Sequence, residues 1–348
     1  MAPSQRSPST MSGLSEAERG TDFETRLRQL KLAVAAMPPL PEPEAARAEE
    51  VRVLEAEHAA AAARVAAFRK TIAVLPPPAT PDALRARLKE GTPEPPETIS
   101  YGAHASQFYR VHRPGTPEPW WVVLIIHGGF WRQTYNVDNA CIHTVAPALA
   151  RRGFCAVEVE YRRVGHGGGW PASCDDVGAA LQHCVANVAG LSERRVVLLG
   201  HSAGGHCALM CAAACEHPPR LLVLIAPVAD LVHAHERGLS DDGAAVLNFV
   251  GAAPEEKPDL YALACPTRAG IWTRLRSDVV LATGDADADV PLELTRLFLA
   301  RLDEGLGGPR LLEYVEPAGD HYSVVDASNC AFAEIWEAAE GVLRRPGL

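Results

Sequence analysis

The chain has 348 residues, 47% hydrophobic and 22% charged, enough for a large core plus an appendage. Its 43 acidic residues against 33 basic ones give a formal net charge of −10, which argues against nucleic acid or an anionic membrane surface as a partner. No apolar run approaches the roughly 18 residues of a bilayer span, and the N-terminus has no apolar signal core. A cytoplasmic location is expected, with organelle targeting left open by the Ser-rich, acid-free first fourteen residues.

Residues 1–20 read as a disordered polar tail, and residues 21–95 as a helical N-terminal extension ending in a Pro-rich linker. Helical patterns run over 22–36, over the Ala/Glu-rich stretch 44–74 and over PDALRARLKE; prolines separate them. These helices have no catalytic constellation, and their expected roles are capping or pairing two copies of the chain.

From about residue 97 the texture changes. Apolar β-branched runs predict strands at 107–112, 121–126, 155–160, 195–199, 221–226, 278–283 and 310–315; helices are predicted at 138–152, 174–190, 203–216, 291–305 and 328–344. The alternation argues an α/β domain over 96–348, a mostly parallel sheet covered by helices on both faces. Residues 229–275 lack strand pattern and are expected to form a small lid carrying His233, His235 and Trp272.

Three segments carry chemistry. RVVLLGHSAGG (195–205) is a strand running into G-x-S-x-G and then a helix. A nucleophilic serine on such a sharp, strained turn needs glycines beside it, here Gly200 and Gly204, because a Cβ there would clash. That makes Ser202 the candidate nucleophile. WVVLIIHGGFW (121–131) runs a buried strand into a glycine pair, where backbone N–H groups can approach a developing oxyanion. Gly128, Gly129 and Ala203 are the candidate donors, with Phe130 able to replace one; His127 is read as a residue that holds the loop. A serine hydroxyl needs a base, and on this kind of elbow the acid and then the histidine follow along the chain. The loop Gly284–Pro291 offers Asp285, Asp287 and Asp289, of which Asp287 is chosen, Asp289 comes second and Asp285 third; His321, on the last sheet loop, is the candidate base. Phe130, Trp131 and Trp170 are expected to line an aromatic-friendly substrate pocket.

The elements HGGFW, GHSAGG, GDADADVP and GDHYSVVD, in this order, resemble the α/β-hydrolase superfamily. HGG with a following aromatic and Trp, together with GHSAGGH and the His of DHYS, most resembles the kynurenine formamidase (arylformamidase)-like group, over residues 97–346. The resemblance implies an α/β-hydrolase fold, a triad at Ser202, Asp287 and His321, an oxyanion motif at His127 to Trp131, and hydrolysis of N-formylkynurenine to kynurenine and formate. The run from Tyr161 to Pro171 departs from that group and looks more like related esterases and peptidase-like hydrolases.

The chemistry expected is therefore hydrolysis of a small ester or amide through an acyl-enzyme. The alternatives are a carboxylesterase for short-chain or aromatic esters, and a non-catalytic scaffold that binds small molecules. No cofactor or metal is expected. Gly167–Gly169 lacks the ending of a phosphate-binding loop. The nine cysteines read as reduced thiols, and Cys207, Cys211 and Cys215, spaced by four after His206, read as small residues that let a helix pack closely.

Overall fold

The computed structural model describes residues 96–116, 120–140, 142–188, 195–268, 270–271, 274–304 and 311–344. The expected tail and helical extension, and Trp272 of the expected lid, lie outside the described residues.

The strands are β1 (Glu97–Ser100), β2 (Phe108–His112), β3 (Val122–Ile126), β4 (Cys155–Val159), β5 (Val196–His201), β6 (Leu221–Ile225), β7 (Asp278–Gly284) and β8 (Leu311–Glu316). They form one sheet in the order β1-β2-β4-β3-β5-β6-β7-β8. β2 pairs antiparallel with β1 and β4, and the remaining pairs are parallel.

The uniformly apolar strands sit in the middle because both of their faces are covered. Along β3, Val122, Leu124 and Ile126 enter one core while Val123 and Ile125 enter the other. The first face is packed by α2 (Ala172–Asn187), α3 (Ala203–Ala214) and α7 (Leu292–Glu304); the second by α1 (Val145–Arg151) and α8 (Cys330–Leu343). Trp336 of α8 is fully buried edge-on to Phe154, so its truncation to alanine would cost about 3–5 kcal/mol. Among the described residues no helix is long and apolar enough to cross a membrane.

One expectation shifts. The helix predicted from residue 138 begins at Val145, because Asn136 and Asn139 bond backbone amides within 136–139 and hold that stretch in turns. The segment between β6 and β7 carries three short helices, α4 (Leu231–Glu236), α5 (Ala244–Val250) and α6 (Pro258–Ala264).

Candidate active site

β5 ends at His201, and the chain turns at once into α3. Ser202 stands on that turn with φ 55° and ψ −122°, a strained conformation for a residue with a side chain. The neighbouring glycines are obligatory. A Cβ on Gly204 would lie 2.1 Å from the carbonyl oxygen of Ile126, and one on Gly200 2.6 Å from that of Gly204. Ser202 is buried, its Oγ without a hydrogen-bond partner among the described residues.

The loop after β3 lies against the elbow. A Cβ on Gly128 would meet the Ser202 Cβ at 2.8 Å, and Gly129 has φ 101°, open only to glycine at low cost. The Ala203 N–H, at the first position of α3, has no backbone partner among the described residues. His127 is fully buried, bonds the Gly128 carbonyl through Nδ1 (2.9 Å) and stacks on Tyr161, whose hydroxyl donates to the His127 carbonyl. Burial pushes its pKa down to about 4, so at neutral pH it is an uncharged strut of the loop. Glu160 braces the same loop: it accepts the Val137 and Tyr161 amides, pairs with Arg163 and faces His127.

The loops after β7 and β8 are stitched together by the amides of Asp285 and Ala286, which donate to the carbonyls of Glu316 and Gly319. That places Asp287 against His321, with Nδ1 2.7 Å from Oδ2 and both side chains buried. The other Asp287 oxygen accepts the amides of Asp289 and Val290, which fixes the carboxylate. Asp285 instead accepts the amide of Ala318, and Asp289 is exposed. Of the three aspartates open in the sequence, Asp287 is the one in contact with the imidazole.

Ser202 and His321 line one cleft with Gly129, Phe130, Arg132, Tyr135, Ala140, His201, Asp289 and Tyr322. The Ser202 hydroxyl and the His321 ring share this cleft without a direct hydrogen bond.

The chain belongs to the BD-FAE family. The family model matches residues 111–302, more than half of the chain, which takes in the elbow and the Asp287 loop and stops before His321. Solved structures share the fold. One is a bifunctional GH43-CE from Bacteroides eggerthii, at TM-score 0.58 and 20% identity over 72% of this chain and 38% of that one, so this chain spans about two fifths of its length. Another is a truncated carbohydrate esterase from gut microbiota, at TM-score 0.60 and 18% identity over 73% of this chain and 98% of that one. A third is esterase B from Lactobacillus rhamnosis, at TM-score 0.60 and 19% identity over 83% and 95%. No curated protein matches the chain. The sheet and its covering helices make this an α/β-hydrolase fold.

Two predicted pocket residues are corrected. Trp131 is fully buried, stacked on Phe249 of α5 (4.0 Å between rings) and edge-on to His206. The positive φ values of Gly129, Phe130 and Trp131 turn its indole away from the cleft and into the core. Trp170 is half-buried, edge-on to His206, and does not line the cleft either. Phe130 does. Arg132, Tyr135 and His201 are additions: Arg132 follows HGGFW directly, Tyr135 lies four residues beyond it, and His201 sits inside GHSAGG, but no spacing marks them as cleft residues.

Among the described residues, Cys174, His206 and Cys207 form a buried group whose donor atoms could hold a metal, with Sγ–Sγ 3.7 Å and Sγ–Nδ1 3.9 and 4.0 Å. His206 Nε2–H donates to the Ala264 carbonyl. These contacts lie between α3, α2 and α6, and Cys174 is the member the spacing could not supply. His233 and His235 do not converge: one faces Glu293, the other the Gly243 carbonyl.

Proposed function

We propose that the chain is a serine hydrolase that cleaves a small carboxylic ester through an acyl-enzyme. The observation that carries this reading is the buried Asp287–His321 pair sharing one cleft with a serine held on a strained elbow. With Nδ1 tied to Asp287, His321 has Nε2 left for the serine proton. Ser202 Oγ attacks the carbonyl carbon, and the proton passes to Nε2. Charge collects on the carbonyl oxygen, opposite the amides of Ala203 and of the Gly128–Gly129 loop; the Phe130 amide is the alternate donor. The protonated imidazole then gives its proton to the leaving oxygen. Water, deprotonated by the same ring, releases the acid and restores the serine. Asp287 keeps the ring in one tautomer and stabilises its charged form.

Ester is favoured over amide by the family and by the esterase names of the similar structures. Phe130 and Tyr135 supply the cleft's aromatic lining, suited to a small acyl group. An aryl formamide such as N-formylkynurenine, suggested by the HGGFW and GHSAGGH motifs, is the second reading; a formyl group is the smallest acyl such a cleft could take. Turnover of p-nitrophenyl acetate and of N-formylkynurenine by the same preparation tests both. The ester reading predicts a higher kcat/KM for the acetate. A preference for the formamide replaces it with the second reading. No turnover of either, nor of longer acyl esters, contradicts both.

A further inference from the structure

We propose that His201 is the positioning residue for the base, its Nε2–H pinning the main chain of His321 so that the His321 imidazole is kept in register with Ser202. The inference rests on the hydrolase reading above and adds a residue that reading does not use.

His201 is the last residue of β5, covalently next to Ser202 and buried. Its Nε2–H donates to the His321 carbonyl (3.0 Å), and among the described residues nothing else bonds that carbonyl. The two rings lie 4.6 Å apart, tilted by 41°. The loop that carries His321 is tied to the β7 loop at Ala318 and Gly319 and closed on itself by Asp320, which accepts the Tyr322 and Ser323 amides; Asp287 restrains the ring at Nδ1, and His201 ties the His321 main chain to the nucleophile strand. His201 in turn stands on a strand paired on both sides, with β3 and with β6. One side chain thus links base and nucleophile, rooted beside the serine and bonded to the histidine carbonyl.

Chemistry also separates His201 from the base. Burial, and the nearby His321, hold its pKa well below the ordinary histidine value, so the ring is neutral and has a single N–H, committed to the carbonyl. Its Nδ1 is buried without a partner among the described residues and lies against Gly128, whose added Cβ would be 3.2 Å away. The ring therefore touches the oxyanion loop on one side and the base on the other.

The test compares His201→Leu, which keeps bulk without a donor, His201→Gln, whose amide N–H reaches about as far as Nε2, and His201→Asn, which falls short. The readouts are kcat and KM for p-nitrophenyl acetate, the rate of fluorophosphonate labelling at Ser202, and the melting temperature. The leucine variant is expected to lose about 100-fold in kcat, and labelling rate in parallel, with KM changed less than about threefold. The glutamine variant is expected to recover most of that loss. If leucine at this site prevents folding, glutamine and asparagine carry the comparison, glutamine faster by about tenfold or more. Equal rates in variants with and without the reaching donor overturn the inference while leaving the hydrolase reading intact. A wild-type protein that neither takes the label nor turns over any ester overturns both.

Discussion

The two halves of the candidate site share tight backbone crossings but differ in how far polar side chains complete them. The nucleophile half, at the ends of β3 and β5, is fixed by backbone against backbone: Gly128, Gly200 and Gly204 lie so close to neighbouring main chain or to Ser202 that no Cβ fits. Its strands are buried along their whole length. The base half hangs from β7 and from β8, a half-buried edge strand, on loops with exposed residues. It is fixed by backbone where its two loops cross, a Cβ on Gly284 lying 2.0 Å from the Gly319 carbonyl oxygen, and beyond that crossing by polar side chains: Asp285 on the Ala318 amide, Asp287 on two amides and on His321, His201 on the His321 carbonyl. Packing that admits no side chain tolerates no change. Hydrogen bonds at an edge can be weakened one at a time.

Predictions that break or sharpen this contrast follow in order of size. Ser202→Ala should reduce turnover by about 10⁴-fold or more without unfolding the protein, which kinetics and a thermal melt together would check. Asp287→Asn should lower kcat by about 10²- to 10⁴-fold, because the amide favours the wrong imidazole tautomer; Asp285→Asn and Asp289→Asn should each stay within about tenfold. Equal losses for the three would contradict the assignment of the acid. Gly204→Ala should cost more than about 3 kcal/mol in urea unfolding, since the clash is with a carbonyl that cannot rotate away; a stable, active variant would contradict the rigid half. The smallest effect concerns pH. His127 titrates near 4 in the folded protein and near 6.5 unfolded, so the unfolded chain binds more protons between those values. Stability from this group is therefore complete above about pH 6.5 and is lost as pH falls toward 4, by up to about 3 kcal/mol. Urea unfolding at pH 7.5 and pH 5 should show a shallower pH dependence for His127→Asn than for wild type.

The same contrast explains what the sequence made legible. The nucleophile half could be read because glycines and continuous apolar strands are local signals: VVLII, GHSAGG and HGG announce themselves. β7 and β8 were visible for the same reason. β1 was not, since ETIS is short, polar and mostly exposed, and becomes a strand only by pairing with β2. The choice among Asp285, Asp287 and Asp289 depends on how two loops cross, which no spacing encodes. Trp131 misled because adjacency to the glycine pair suggested the cleft, whereas the backbone turn sends its ring into the core. His201, between Gly200 and Ser202, is a variable position of the motif in sequence; only the carbonyl it meets, 120 residues later, gives it a role.

The central claim is that Ser202 becomes covalently acylated with His321 as its base. Treat the folded protein with a fluorophosphonate, digest it, and locate the added mass. The account predicts one stoichiometric adduct on the peptide containing Ser202, strongly reduced in His321→Ala and absent after heat denaturation. An unmodified Ser202 in wild type, or an adduct formed equally well without His321, would contradict it.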